Sequence, residues 1–126
     1  MKLKAIIPAG IIAAGPAGFA QAHHAFARFD PAREVTLQGT VNEFHWTSPH
    51  AWLMLTVQEK GRPERWAIEM NGASGLARQG WRPETLTPGM PVTATIRPLR
   101  DGTNGGQFLE IVLPDGTVLG QSASAS

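Results

Sequence analysis

The chain has no cysteine, which excludes disulfides and thiolate metal sites together. It has no apolar run of spanning length: residues 5–20 are rich in Ala, Ile and Gly, but Pro8 and Pro16 interrupt them, and a membrane helix needs roughly 20 uninterrupted residues. No serine sits in a recognisable nucleophile motif. The Gly-rich stretch Arg100-Asp101-Gly102-Thr103-Asn104-Gly105-Gly106 has neither P-loop spacing nor a Lys-Ser/Thr pair, so it reads as a plain hairpin connection. These absences assign no catalytic residue and point to a binding protein rather than an enzyme.

Excess positive charge is also missing. Met1-Lys2-Leu3-Lys4, the apolar residues 5–20 and the small-x-small site Ala20-Gln21-Ala22 have the form of a secretory signal, so residues 1–22 are expected to be cleaved and the protein exported to the periplasm or beyond. Cleavage takes Lys2 and Lys4 with it, and eleven basic residues against ten acidic become nine against ten. A near-neutral domain lacks the footprint that nucleic-acid binding requires, so no nucleic-acid partner is expected, nor a stable membrane span after cleavage.

Against these absences stand four histidines, at positions 23, 24, 45 and 50. A cut after Ala22 would make His23 the N-terminal residue, offering its amine and its ring nitrogen to one ion, a chelate suited to copper. A cut after Ala20 would place His23 third from a free amine, another square-planar copper or nickel arrangement. The other pair brackets Trp46-Thr47-Ser48-Pro49, a turn between two runs rich in Val, Thr, Leu, Phe and Trp. With a four-residue connection, His45 and His50 become directly opposed strand partners, Cβ atoms about 4.5–5.5 Å apart. His23, His24, His45 and His50 are therefore the candidate metal ligands, with copper the expected cofactor and Glu43 and Met54 on the same face as supplementary donors. The same histidines equally suit a solvated outer face and an unstructured leader.

Side-chain alternation puts Glu43, His45, His50, Trp52 and Met54 on one face and Phe44, Ala51, Leu53, Leu55 and Val57 on the other, which is the core face. Lower in the first strand Val35, Leu37 and Val41 have the opposite parity to Phe44, so a bulge or bend is needed at Gly39 or just after it. Strands are expected at 33–46, 50–58, 64–70, 90–99, 107–113 and 117–119. A short helix is expected at 73–79, capped by Asn71 or Ser74 and stopped by Gly80, with Trp81 and Leu86 as anchors. Residues 23–33 form an N-terminal extension, 34–120 the domain, and 121–126 a frayed tail.

Three meandering strands, a helical connection and further strands, with a long bent first strand, give the element order of an all-β, five- to six-stranded OB-like barrel, a twisted SH3-like barrel being the rival. In such a barrel the face of strands two and three and the loop between strands one and two bind ligands. This suggests a second reading: Trp46 and Trp52 stacking on a glycan or small organic ligand, or inserting into a protein partner, with Arg78, Arg82, Arg97 and Arg100 pairing acidic groups and no metal involved.

The run His23-His24-Ala25-Phe26-Ala27-Arg28-Phe29-Asp30, Val35-Thr36-Leu37-Gln38-Gly39-Thr40-Val41, Ser48-Pro49-His50-Ala51-Trp52, Gly80-Trp81, and Pro98-Leu99-Arg100-Asp101-Gly102 with Gly105-Gly106 together resemble a family of small exported bacterial proteins known only as a domain of unknown function. The likeness covers nearly the whole chain after the leader. It implies an exported all-β domain and brings no established activity.

Overall fold

A computed structural model describes residues 27–120; the expected leader, His23, His24 and the tail at 121–126 lie outside the described residues. Strands β1 (Val35–His45), β2 (Trp52–Glu59), β3 (Arg62–Glu69), β4 (Pro91–Pro98), β5 (Gly105–Val112) and β6 (Val118–Gly120) form one sheet, and helix α1 (Ala73–Arg78) connects β3 to β4. The strand order is β3-β2-β1-β4-β5-β6, and β3 also pairs with β5. That last pairing is parallel and closes five strands into an OB-type barrel, leaving β6 on the outside of β5.

β1 serves both halves of the barrel. Its first half pairs with β4 from Val35↔Ile96 to Thr40↔Pro91, and its second with β2 from Gly39↔Val57 to His45↔Trp52. Where the halves meet, Gly39 is required: a Cβ there would sit 2.5 Å from the Thr56 carbonyl oxygen. The parity change expected near Gly39 falls at Asn42, where the register with β2 shifts between Val41 and Glu43. This bulge turns the inward set from Leu37 and Val41 to Phe44 and leaves Glu43 and His45 outside.

The β2–β3 hairpin turns on Lys60 and Gly61, both with positive φ (51° and 77°), the signature of a two-residue primed turn that sets Glu59 opposite Arg62. β3 consequently starts two residues earlier than the polar turn cluster suggested. Leu53, Leu55, Ile68, Ala94, Ile96, Phe108 and Ile111 are fully buried inside the barrel.

Helix α1 covers one end of it. Neither Asn71 nor Ser74 caps the helix; the N-cap is Gly72, with no side-chain cap. A Cβ on Gly72 would lie 2.6 Å from the Pro49 carbonyl, so the close approach of the β1–β2 loop takes the position a capping side chain would need. The C-terminal stop at Gly80 is as expected. Gly80 has φ +94°, its N–H reaches Ala77 O at 3.1 Å, and the Trp81 N–H reaches Leu76 O at 3.0 Å, which together make a Schellman motif. The motif drives Trp81 into the barrel mouth, edge-on to Phe108 at 5.7 Å and tilted against Phe44 at 6.1 Å. Each such aromatic pair contributes about 0.5–1.5 kcal/mol beyond the area buried.

Closure depends on Gly105 and Gly106. A Cβ on Gly106 would meet the Arg97 carbonyl oxygen at 2.5 Å and Ile96 Cδ1 at 2.7 Å. Gly106→Ala should therefore lower the urea-unfolding free energy by about 2 kcal/mol or more, whereas Gly102→Ala, at a positive-φ turn with open space around it, should cost less.

In the β4–β5 loop the Thr103 hydroxyl and amide both donate to Asp101 Oδ1, at 2.6 and 2.9 Å. These bonds hold the Asp101 carboxyl below its ordinary value of 3.8. A depressed folded-state value contributes stability that is complete near neutrality and is lost as the pH falls through that value. Melting temperatures followed from neutral pH down to about pH 2 should accordingly fall less steeply for Asp101→Asn than for the parent chain.

Candidate functional site

The expected four-residue turn between β1 and β2 is a six-residue loop, Trp46 to Ala51, and this changes the histidine geometry. His45 is opposite Trp52, not His50. The cause lies close to the loop: the Asn42 bulge advances β1 relative to β2, and Ala51 N–H is bound to Asn71 O (3.1 Å) rather than to β1. The direct opposition of His45 and His50 predicted from the sequence is not formed. The core face, by contrast, is as expected, with Ala51, Leu53, Leu55 and Val57 buried and Phe44 packed against them.

Each of the two described histidines lies beside its own carboxylate. His45 Nε2 lies 2.7 Å from Glu43 Oε2, two residues back on the same strand face. His50 Nε2 lies 3.6 Å from Glu69 Oε1. Among the described residues, no three His, Asp or Glu side chains come together as a metal-binding group.

His50 is the better fixed of the two. The Thr47 hydroxyl donates to its carbonyl at 2.6 Å, and its Nδ1 is 3.1 Å from the Met70 carbonyl. A carbonyl oxygen can only accept, so Nδ1 carries a proton, and Nε2 is the ring nitrogen that faces Glu69. A backbone carbonyl accepting from one ring nitrogen fixes the tautomer and the ring orientation.

Glu69 ends β3 and is held from both sides, by Trp52 on β2 and Gln107 on β5. Its side chain is only 12% exposed, and Oε2 accepts from the Arg28 guanidinium at 3.0 Å. Arg28 is there because the segment before β1 docks on the barrel: Phe29 is buried and bridges to Leu99, Asp30 N–H binds Pro98 O at 2.9 Å, and Arg100 N–H binds Arg28 O at 2.9 Å. Neither Arg28 nor Glu69 stood out in the sequence. The signal for Glu69 was the Lys60-Gly61 turn, since a two-residue loop there fixes the register that sets Glu69 beside Trp52.

A hollow of about 240 Å³ opens next to this group, floored by Ala67, Gly105 and Gly106 and walled by Trp52, Phe29 and Asn104. Three segments far apart in sequence, around Arg28, around His50 and from Leu99 to Gly106, thus meet on one face, the β2–β3 face flanked by the β1–β2 and β4–β5 loops. Trp46 is elsewhere, edge-on to Phe44 at 5.7 Å and partly buried against the core. Arg78, Arg82 and Arg100 are exposed, Arg97 is on the outer face of β4, and none of the four lines the hollow. No helix among the described residues is long and apolar enough to cross a membrane.

Neither a curated protein nor a solved structure matches the chain. A family model does, over residues 11–108, well beyond half of the sequence. The chain belongs to the family of unknown function DUF6152.

Proposed function

We propose that the protein is an exported, periplasmic binding module that holds copper, with the N-terminal residues His23 and His24 and the loop residue His50 as ligands. The observation that supports this reading best is the fixing of His50: its Nδ1 is engaged by the Met70 carbonyl, leaving Nε2 turned toward a carboxylate. That carboxylate is the one on which Arg28 is anchored. His24 precedes Arg28 by only four residues in the sequence. His45, held by Glu43, is the outlying member of the expected set.

Copper titrated into the mature exported protein should raise its melting temperature and perturb tryptophan fluorescence, since Trp52 adjoins the site. A ligand bound only by the folded state stabilises it by about 2.7 kcal/mol at a hundredfold excess over Kd. His50→Ala should remove most of that gain and His45→Ala little of it. No shift with Cu(II) or Zn(II) would refute the reading.

The hollow beside Trp52 favours a second reading, a binding domain for a glycan, small organic ligand or protein partner with no metal. Retention on a glycan or peptide array that is lost in Trp52→Ala, with no thermal response to copper, is the result that reading predicts.

A further inference from the structure

We infer that the hollow beside Trp52 is a sugar subsite, which takes one pyranose ring of an uncharged glycan and binds its hydroxyls through Glu69 and Asn104. This rests on the metal-free reading above and narrows it to one ligand class and to named acceptors.

Size sets the first limit. A cavity of about 150 Å³ holds benzene, and pockets that enclose whole drug-sized ligands run to roughly 300–1,000 Å³. The hollow, at about 240 Å³, therefore accommodates one substituted six-membered ring and leaves the rest of a larger ligand outside. Its floor is Ala67 with Gly105 and Gly106, and Trp52 and Leu99 stand beside it. An apolar bed of this kind suits the C–H face of a sugar ring, whose weakly positive hydrogens are attracted to the negative face of an indole. The floor belongs to the ladder that closes the barrel, so it is in place before any ligand arrives.

The rim holds acceptors with spare capacity. Glu69 is only 12% exposed. Its Oε2 accepts from Arg28 at 3.0 Å, whereas Oε1 faces His50 Nε2 at 3.6 Å, beyond hydrogen-bond length. Among the described residues Oε1 thus has no hydrogen-bond donor, and a carboxylate oxygen so little hydrated binds an incoming hydroxyl strongly. On the same hollow, Asn104 Nδ2 donates to Glu64 Oε2 at 3.3 Å. A carboxylate oxygen accepts here, so the contact fixes which way the amide is turned and leaves Oδ1 for a ligand. Neighbouring hydroxyls on one ring can serve both acceptors.

The same surface disfavours other occupants. The Glu69 carboxylate repels an anionic sugar. A chain with eleven basic residues against ten acidic lacks the positive surface that an oligonucleotide needs. Protein interfaces of standard size gather around an apolar centre, yet among the described residues the one large apolar side chain that is exposed, Val118, lies on β6 next to the opposite end of β5. A polar recess the size of one ring is what remains.

The test is a titration of the isotope-labelled full exported chain with glucose, galactose, mannose, N-acetylglucosamine and the disaccharides of each, read by backbone amide shifts and by the Trp52 indole N–H. Glucuronic acid and a random hexapeptide pool are run beside them. At least one neutral sugar should give saturable shifts centred on Gly105, Gly106 and Trp52. Glu69→Gln should weaken that binding about ten- to hundredfold and Asn104→Ala about two- to tenfold. If Glu69→Gln does not fold, which its melting curve will show, Asn104→Ala decides alone. Shifts centred elsewhere, or a sugar bound equally well by both variants, would overturn the subsite and leave the metal-free reading standing. Binding of the peptide pool with no response to any sugar would do the same. Tighter binding of glucuronic acid than of glucose would overturn the uncharged class. Response to none of these probes would overturn the subsite, and with no retention on a glycan or peptide array the metal-free reading falls as well.

Discussion

The parallel pairing of Ala67-Ile68-Glu69 with Gly105-Gly106-Gln107 is the constraint on which the rest of this structure depends. It joins the two ends of the sheet through residues with no room for a side chain: a Cβ on Gly105 would crowd Leu99 Cδ1 (2.8 Å) and the Ala67 carbonyl oxygen of β3 (3.0 Å), and one on Gly106 would strike the Arg97 carbonyl oxygen of β4 (2.5 Å). The same pairing determines the surface. With only Ala67, Gly105 and Gly106 beneath it, the outer face has a hollow there, and Glu69 is set at its edge with its backbone held on both sides.

His50, Trp52, Arg28 and Phe29 gather around that edge. The loop after β1 delivers His50, the start of β2 delivers Trp52, and the segment before β1 delivers Arg28 and Phe29. The barrel thus uses its rigid ladder to hold one carboxylate and its loops to bring partners to it, which is how a small domain without disulfides can preorganise a site. The start of helix α1 secures the loop carrying His50, because Ala73 N–H binds Thr47 O at 3.0 Å and the Gly72 backbone lies against Pro49.

Much of the fold was legible in the sequence, since its elements follow from local chemistry. Alternation marked the strands, Gly80 marked the helix stop, and the opposite parities of Val41 and Phe44 demanded a bulge in β1. The barrel class followed from element order. Register was the less legible part, because it depends on distant events. The bulge at Asn42 and the binding of Ala51 to Asn71 lengthened the β1–β2 loop by two residues and separated His45 from His50. Arg28 and Glu69, 41 residues apart, meet only because Phe29 docks beside Leu99, and no local pattern signals such a contact. The Gly-rich stretch was read as a plain connection, yet its last two glycines are strand residues that close the barrel.

The central claim places a metal at His50 on the β2–β3 face. Its most direct test is the broadening of backbone amide resonances by substoichiometric Cu(II), which reports proximity residue by residue. The account predicts that His50, Trp52, Glu69 and Met70 broaden first while Lys60, Gly61 and Thr117 at remote turns stay sharp. Broadening confined to residues ahead of Ala27, or centred on Glu43 and His45, would contradict it.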